Sequence, residues 1–566
     1  MNQRAVVLNT IIVVGFVVVI VRLADLMLFE HRGLAQAARR QHIVDKDIEV
    51  ARGTIYDRRG REIAINIETE SIYAEPRKIK DPDMAARALA PYTGHKIEEL
   101  RGILSSGKGF AWVKRKMDLS ETEKIKALEI EGIGFKPELK RFYPGGHLFS
   151  HVIGSVGVDN QPLEAIELKY DDVLKKPGGK VSVMRDARGE ELSEGEETIS
   201  KGNDIVLTID EGLQYIVDTA IEAVVKERSA SRAVAIMMNP FTGEILAMAG
   251  RPTYDSNNPS AVDASYRRNI AITDLYEPGS TFKIVAASAA LEEGAVKVNS
   301  VFDCSRGAIK IGKHTITDAH RHGVLTFKEV IQKSSNVGFV NVGLRVGGKK
   351  LHSYARRFGF GERTGIDLPG EVSGWVSSGG SEISTASLSI GYAAAVTPLQ
   401  VLRAYSAIAN GGYLVKPYLV SEIRSPEGYT IYYHKEEPLK RVISKKTAMT
   451  LRELLTSVTE EGGTAKAASL DGNKVAGKTG TAMLREGRGY SKQKYASSFV
   501  GFVPVDDPKI ALIVVVFEPK GQYYGGAVAA PVFKEIAEKT LAYLNIPRDD
   551  TQIESVFTVK MEKEGQ

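Results

Sequence analysis

The stretch EPGSTFK at residues 277–283 decides the fold of this chain, because a proline–glycine turn runs directly into a helical pattern. The turn places Ser280 at the start of the predicted helix, where free backbone N–H groups and the helix dipole favour negative charge. Lys283 lies three residues further on, so its side chain shares a helix face with Ser280. Apolar neighbours disfavour a charged lysine, and an uncharged amine can accept a serine proton. The stretch predicts a serine nucleophile with a lysine base.

A second segment, SSN at residues 334–336, supplies groups that this chemistry needs. It stands between two patterns of helical spacing, at 327–333 and 337–346. Ser334 is a candidate for relaying a proton to a leaving amine, and Asn336 is a candidate for holding a substrate amide. Either short motif alone is more typical of helix capping than of catalysis.

The third segment, KTGT at residues 478–481, predicts a place for a peptide substrate. If it lies on the edge of a sheet, Gly480 lets a peptide approach the backbone closely. Lys478 supplies a positive field, and the hydroxyls of Thr479 and Thr481 can bind a terminal carboxylate. The backbone N–H groups of Ser280 and Thr481 are then candidates for an oxyanion hole. The three motifs in this order indicate acyl transfer through a serine ester.

Composition indicates a large globular protein with a mixed surface. The chain has 566 residues, 43% hydrophobic and 26% charged, which predicts two or three folded units. Its 75 basic and 70 acidic residues give a net charge of +5, too balanced for a nucleic-acid footprint. Cys304 is the only cysteine, so an internal disulfide and a multi-cysteine zinc site are both excluded.

The N-terminus predicts a membrane anchor. Residues 11–21 (IIVVGFVVVIV) are continuously apolar, and their apolar flanks extend the segment to spanning length. A cleaved signal peptide is the alternative, because AQA at 35–37 resembles a cleavage site. That site lies far beyond the apolar core, which favours a retained anchor. The charges on the two flanks do not decide the orientation of the span.

The remaining chain divides into regions of different pattern. We predict a cytoplasmic stub and anchor over 1–30, a mixed, non-catalytic pedestal over 31–230, a catalytic domain over 231–546 and a polar tail over 547–566. Strand patterns lie at both ends of the catalytic region, with helical patterns between them. This arrangement predicts an antiparallel sheet covered by helices, and hence a multidomain α+β chain. The strand and terminal-helix patterns of the catalytic region are 233–238, 244–249, 495–503, 510–517 and 532–544.

Two other patterns offer competing functions. Residues 472–479 satisfy the phosphate-loop pattern G-x-x-x-x-G-K-[ST], but 466–471 do not read as the buried strand that must precede such a loop, and Gly480 interrupts the helix that must follow it. A cluster of possible ligands resembles a divalent-metal site, although a polar loop is the more typical explanation, and we expect no metal. Its members are His314, Asp318, His320 and His322.

With these motifs in view, the chain resembles the class B penicillin-binding proteins over nearly its whole length. The SSNVG form at 334–338 is closer to division-type members than to elongation-type ones. Residues 162–167 depart from the family pattern, because they lack the glycines expected there. The further matching motifs are RGxIYDR at 52–58, RxYP at 141–144, RDxxG at 185–189 and TPLQ at 397–400.

This resemblance implies a peptidoglycan D,D-transpeptidase. Ser280 would attack the D-alanyl-D-alanine amide of a stem peptide while Lys283 takes its proton, and Ser334 with a lysine would protonate the departing D-alanine. An acceptor amine would then resolve the ester into a cross-link. β-Lactams would trap the same serine, and no cofactor is implied. No glycosyltransferase pattern precedes the pedestal, so we expect no glycan polymerisation by this chain.

The resemblance also implies a place and partners. We expect a single-pass protein of the inner or plasma membrane whose catalytic domain faces the periplasmic side. It would act on lipid-linked glycan beside a SEDS-family glycan polymerase and other division proteins, in septal wall synthesis. The alternatives are an elongation- or sporulation-type transpeptidase, or a membrane-bound penicillin sensor. A β-lactamase or carboxypeptidase would hydrolyse its serine ester rapidly, and the anchor and long pedestal argue against both.

Overall fold

The computed structural model describes residues 3–28, 43–47, 50–175, 180–184, 201–435, 440–487 and 489–548. The RDxxG motif at 185–189, the AQA segment at 35–37 and most of the predicted tail lie outside the described residues. The chain divides into two compact units. One consists of Met1–Arg52 and Lys175–Gly202, and the other of Gly53–Leu174 and Asn203–Gln566.

The described chain contains both helices and strands in each large region. The helices are α1 (Gln3–Leu28), α2 (Pro82–Thr93), α3 (Ile97–Leu104), α4 (Leu119–Lys126), α5 (Ser150–Ile153), α6 (Ala165–Lys169), α7 (Asp171–Leu174), α8 (Glu211–Arg228), α9 (Ile270–Thr273), α10 (Lys283–Glu292), α11 (Phe327–Lys333), α12 (Asn336–Val346), α13 (Gly348–Arg357), α14 (Glu382–Ser389), α15 (Pro398–Ala409), α16 (Lys445–Thr456) and α17 (Gly525–Tyr543). The strands are β1 (Ile43–Asp47), β2 (Ile55–Tyr56), β3 (Glu62–Ala74), β4 (Ala111–Met117), β5 (Ile133–Phe142), β6 (Lys180–Met184), β7 (Asp204–Leu207), β8 (Arg232–Met238), β9 (Ile245–Arg251), β10 (Val301–Asp303), β11 (Ala308–Ile311), β12 (His314–Thr317), β13 (Val324–Thr326), β14 (Trp375–Val376), β15 (Ala394–Ala395), β16 (Tyr413–Leu414), β17 (Val420–Arg424), β18 (Thr430–Tyr433), β19 (Lys440–Arg441), β20 (Ala476–Glu486), β21 (Gly489–Val503) and β22 (Ile510–Phe517).

The first unit contains α1 and a two-stranded antiparallel sheet of β1 and β6. Within α1, the segment Val6–Met27 has a mean hydropathy of 2.7 and is not buried. At about 1.5 Å per residue, 22 helical residues span about 33 Å, which matches the apolar thickness of a bilayer. The predicted apolar helix is therefore confirmed, and it is consistent with a single-pass membrane protein.

The second unit is built around a five-stranded antiparallel sheet in the order β20-β21-β22-β8-β9. Every residue of β9 and β22 is buried, so helices must cover both faces of the sheet. Helices α8 and α17 pack on it and on each other, and α15 packs on its central strands. The predicted antiparallel sheet covered by helices is confirmed. Strand β20 forms one edge of this sheet.

A second sheet joins strands that are far apart in sequence. Its order is β18-β17-β7-β2-β3-β4, with β5 paired along β3. Strand β7 pairs in parallel with β2 and antiparallel with β17, which lies more than 200 residues later. The domain boundary predicted at 230 stays a prediction. Strand β17 pairs with β7, and α8 packs on β8 and β9, so contacts cross this position.

Two motifs of the pedestal meet in a buried ion pair. The Arg141 Nε atom lies 2.7 Å from Oε1 of Glu167, and both side chains are fully buried. Arg141 also donates to the carbonyl of Gly53 at 2.8 Å, and the Tyr143 hydroxyl donates to Glu167. The RxYP motif thus holds the RGxI motif directly, through the bond from Arg141 to Gly53. Glu167, from the segment 162–167 that departs from the family pattern, holds Arg141 and Tyr143. These residues support the structure and lie outside the site described below.

Candidate active site

The turn that carries Ser280 is held rigidly from several sides. Residues Gly279–Phe282 form a 3-10 turn that leads directly into α10, whose first residue is Lys283. Gly279 has a φ of +54° and donates its N–H to the carbonyl of Gly391. The buried Tyr405 hydroxyl donates to the carbonyl of Thr281 at 2.9 Å. The Ser280 hydroxyl is half-buried and makes no hydrogen bond with any residue that the structure describes.

Lys283 connects this turn to the SSN motif. Its Nζ atom donates to the Ser334 carbonyl at 2.8 Å, to the Ser334 hydroxyl at 3.2 Å and to Oδ1 of Asn336 at 2.7 Å. It also lies 5.2 Å from the ring centre of Phe339. Lys283 is only 1% exposed, so its amine is sealed between α10 and α12. The structure therefore brings Lys283, Ser334 and Asn336 together as the sequence predicts.

The surroundings of Lys283 favour an uncharged amine. Burial is the largest cause and holds the pKa of Lys283 well below its usual value, and the positive charge of Lys478 lowers it further. The carboxylate of Asp318 acts in the opposite direction. A lysine whose pKa is lowered in this way can accept a proton near neutral pH, as a general base must.

The SSN motif forms a sharp turn between two helices. Ser334 ends α11 with a φ of +59°, a left-handed conformation that costs most residues about 1–3 kcal/mol. Ser335 begins α12 by accepting the N–H of Gly338 at 3.0 Å. The Nδ2 atom of Asn336 donates to the carbonyl of Thr317 at 2.7 Å, so its Oδ1 atom must face Lys283.

Asp318 belongs to this site, although the sequence indicates it only as a possible metal ligand. Its carboxylate accepts hydrogen bonds from the Ser335 hydroxyl and from the backbone N–H groups of Asn336 and Val337. The polar-loop explanation of this segment therefore fits the structure. The one signal in the sequence was an acidic residue ahead of the capping motif, and its distance of 17 residues from Ser335 concealed the contact.

The described residues bring one group of metal-type side chains close together, and it lies elsewhere. His147, Asp218 and Glu222 place their ligand atoms within 4.8 Å of one another. Both oxygens of Asp218 accept from Arg251 at 2.7 Å, so the carboxylate is neutralised by a guanidinium group. This group reads as an ion-pair network.

Lys478 lies on the edge strand β20, in the same buried region as Lys283. It is 1% exposed, and its Nζ atom has no hydrogen-bond partner among the described residues. Burial lowers its pKa to about 7.

Lys478 and Thr479 both lie inside strand β20, which runs from Ala476 to Glu486. In a phosphate loop, the strand would end before these residues and a helix would begin at Thr479. The phosphate-loop alternative is wrong.

Two threonines of β20 offer hydroxyl hydrogens on the face opposite Lys478, because alternate residues of a strand point to opposite faces. The Thr479 hydroxyl lies 2.9 Å from the hydroxyl of Thr464. The Thr481 hydroxyl accepts the N–H of Gly525 at 3.0 Å, at the start of α17. Each arrangement leaves one hydroxyl hydrogen free to donate to a carboxylate. Thr464 is a residue that the sequence motifs did not indicate.

Gly480 joins the edge strand to the nucleophile turn. A Cβ atom on Gly480 would lie 2.3 Å from the Ser498 hydroxyl, 2.9 Å from the Thr281 side chain and 3.1 Å from the Pro278 carbonyl. On the side where a Cβ atom would lie, the group that packs closely against Gly480 is therefore the turn of residues 278–281, and not a substrate peptide. The strand backbone at Thr481 lies beside the same turn, because a Cβ atom on Gly279, the residue before Ser280, would be 3.3 Å from the Thr481 carbonyl oxygen.

Comparison with known proteins identifies both regions of the chain. Residues 233–538 match the model of the penicillin-binding protein transpeptidase domain. Residues 47–207 match the model of the penicillin-binding protein dimerisation domain. The first match contains every candidate site residue discussed above.

The chain is similar to curated and solved proteins over most of its length. It is 34% identical to the probable peptidoglycan D,D-transpeptidase PenA of Neisseria meningitidis, covering 88% of this chain and 85% of the relative. It is 34% identical to the stage V sporulation protein D of Bacillus subtilis, covering 96% and 86%. Crystalline penicillin-binding protein 3 of Mycobacterium tuberculosis, in complex with aztreonam, is 29% identical with a TM-score of 0.70, covering 89% of this chain and 98% of that structure.

Proposed function

The chain belongs to the class B penicillin-binding proteins, which are peptidoglycan D,D-transpeptidases, and on this basis we propose the role of each residue in its site. Ser280 is the nucleophile, Lys283 is the base, and Ser334 relays a proton to the leaving amine. Asn336 holds the substrate amide, and Lys478 supplies positive field. The observation that carries the proposal is the buried Lys283 amine, which bonds to Ser334 and Asn336 one helical turn from Ser280.

In the acylation step, the Ser280 oxygen attacks the carbonyl carbon of the penultimate D-alanine, and Lys283 takes the hydroxyl proton. Ser280 has no competing hydrogen bond among the described residues, so its hydroxyl is free to turn towards the amine. The backbone N–H groups of Ser280 and Thr481 stabilise the oxyanion that forms on the substrate. Uncharged Lys283 makes this transfer favourable near neutral pH.

The second half of the reaction returns the proton and forms the cross-link. The bond between the carbonyl carbon and the leaving nitrogen breaks, and D-alanine departs with a proton passed from Lys283 through the Ser334 hydroxyl, which lies 3.2 Å from it. An amine of a second stem peptide then attacks the ester, loses a proton to the same lysine and forms the new amide. Ser280 regains its proton as the ester bond breaks.

The donor peptide is oriented through its terminal carboxylate. The free hydroxyl hydrogens of the Thr464–Thr479 pair and of Thr481 lie on one face of β20 and suit an acceptor with two oxygens. Lys478 adds positive field from the opposite face of the strand. β-Lactams carry a carboxylate beside a strained amide, so they acylate Ser280 in the same orientation.

The location and partners follow from the anchor and the substrate. Helix α1 retains the protein in the membrane, and the catalytic unit faces the periplasmic side, where stem peptides are cross-linked. The donor strands are lipid-linked glycans made by a SEDS-family polymerase that contacts the anchor and pedestal. The SSNVG form of the second motif supports a role in septal synthesis during division.

A cross-linking assay tests this function. Purified full-length protein is mixed with lipid-linked disaccharide pentapeptide and a glycan polymerase, and the digested product is analysed for amide-linked dimers. Wild type should form dimers and release D-alanine, whereas Ser280→Ala and penicillin-treated wild type should form glycan without dimers. Dimer formation by Ser280→Ala would refute the assignment.

A further inference from the structure

The carboxylate of Asp318 is fully used within the site. Its Oδ2 atom accepts the Ser335 hydroxyl at 2.8 Å. Its Oδ1 atom accepts two backbone N–H groups, that of Asn336 and, at 3.1 Å, that of Val337. Hydrogen bonds to an ionised carboxylate are about twice as strong as neutral ones. Asp318 is therefore tied to the active-site turn by three charge-assisted bonds.

These bonds give α12 a second cap from outside the helix. Ser335 already accepts the N–H of Gly338 in the usual way. Asp318 satisfies two earlier N–H groups and places a negative charge at the positive end of the helix dipole. The first turn of α12 is the part of the helix that carries Asn336, so this cap fixes the position of a proposed active-site residue.

The last residue of β12, directly before Asp318, also fixes the orientation of Asn336. The carbonyl of Thr317, the preceding residue, accepts from Nδ2 of Asn336 at 2.7 Å. Asp318 itself is anchored by its N–H, which donates to the carbonyl of Gly307 at 2.9 Å. The β11–β12 hairpin therefore holds the Asn336 backbone through residue 318 and the Asn336 amide through residue 317. The result is an Oδ1 atom that faces Lys283.

Asp318 also acts on Lys283 through space. Among the described residues, the charges of Asp318 and Lys478 act on the Lys283 amine with opposite signs. The carboxylate favours the ammonium form of Lys283, and the second lysine favours the amine. The balance between them helps to set the pH at which Lys283 becomes a base.

We propose that Asp318 is a positioning residue of the transpeptidase reaction, whose carboxylate holds the first turn of α12, and with it Asn336, against Lys283 and acts on that lysine with its negative charge. This inference rests on the proposed roles of Asn336 and Lys283. Asp318 touches neither Ser280 nor the substrate in this assignment. Its effect reaches the chemistry through the SSN turn and through its charge.

The test compares Asp318→Asn with Ser335→Ala in the full-length protein. Asparagine keeps the shape and can still accept backbone N–H groups, but it removes the charge. Alanine at Ser335 removes one hydrogen bond and leaves the Asp318 charge in place. The rate of acylation by a fluorescent penicillin is measured from pH 5 to 9, and thermal unfolding followed by circular dichroism verifies folding.

We expect Asp318→Asn to acylate at Ser280 at a rate lower by about 10- to 100-fold at pH 8, since small displacements of catalytic groups have effects of this size. The acidic limb of its pH profile, the range in which the rate rises as Lys283 loses its proton, should move to lower pH. The reason is that the charge that favours the ammonium form of Lys283 is gone. Ser335→Ala should lose less than about tenfold, the equivalent of one hydrogen bond, with its acidic limb unmoved. A purely structural cap would lower the rate without moving the limb.

Acylation of Asp318→Asn within twofold of wild type, or a slower rate with an unmoved limb, overturns the proposal. If this variant does not fold, Asp318→Glu replaces it. That variant keeps the charge but displaces it by one methylene, so a lower rate with an unmoved limb is expected, and an unchanged rate overturns the proposal. Ser280→Ala is run in parallel. If penicillin still labels Ser280→Ala, the proposed function itself is refuted. If Ser280→Ala loses the labelling while Asp318→Asn is acylated as fast as wild type, only the role of Asp318 is refuted.

Discussion

Replacing Lys478 with methionine should make the protein more stable and less active. The Lys478 amine is buried without a hydrogen-bond partner among the described residues, and its pKa falls from 10.5 to about 7. Because the folded pKa is the lower one, the unfolded chain binds more protons between these two values. The wild type therefore gains stability as the pH rises from about 7 towards 10.5, and it carries the full cost of the buried lysine below pH 7.

The size of the effect follows from this pKa. A difference of one pH unit corresponds to about 1.4 kcal/mol, so the lysine costs up to about 5 kcal/mol well below pH 7 and about 3 kcal/mol at pH 8. Methionine has a similar length and no charge, and it should recover a large part of this free energy of unfolding. The gain of Lys478→Met over wild type should be larger by about 1.4 kcal/mol at pH 6 than at pH 8.

The assay is unfolding of the full-length protein in detergent at both pH values, followed by circular dichroism. Lys474→Met is the matched control, because Lys474 is an exposed lysine of the same segment. Acylation by penicillin should slow in Lys478→Met, since the charge of Lys478 lowers the pKa of Lys283. A variant that is less stable than wild type at both pH values, or whose gain does not depend on pH, would show that the buried Lys478 amine does not carry this cost.

Three further substitutions test other parts of the structure. Asn336→Asp places a carboxylate where an oxygen now lies 2.7 Å from Lys283, so the acidic limb of acylation should move up by about 1–3 pH units in a rate profile; an unmoved limb would contradict the contact. Gly480→Ala forces a Cβ to within 2.9 Å of the Thr281 side chain, and both the midpoint of thermal unfolding and the acylation rate should fall, by about 1–3 kcal/mol in stability. Arg141→Met removes the guanidinium group that lies 2.7 Å from the buried Glu167 carboxylate, so denaturant unfolding should show a loss of up to about 3–5 kcal/mol. Most of this loss should be restored when Arg141→Met is combined with Glu167→Leu; equal losses in the single and double variants would argue against the ion pair.

The sequence predicted the elements whose signals are local. The hairpin of β8 and β9, the buried β22 and the helix at 327–333 all follow from periodicity and capping within a few residues. The catalytic motifs were recognisable because each is short and the chemistry requires particular residue types in it. The helix predicted at 532–544 begins earlier, at Gly525, because Pro531 lies inside α17 where sequence reasoning would end a helix.

The contacts that could not be predicted join residues far apart in the chain. Asp318 meets Ser335 through the β11–β12 hairpin, and Thr464 meets Thr479 through a loop, and neither pairing leaves a periodic signal. The pairing of β7 with β17 is likewise set by tertiary packing. The left-handed conformation of Ser334 is held by its surroundings, because serine has no intrinsic preference for it.

The position of the covalent adduct shows which residue is the nucleophile. The full-length protein is incubated with penicillin, digested, and sequenced by mass spectrometry to locate the added mass. We expect one adduct per chain, on Ser280, and the same single site when the reaction is repeated at pH 6 and pH 8. An adduct on Ser334, on a threonine of β20 or on any residue outside the turn of Gly279–Phe282 would contradict it.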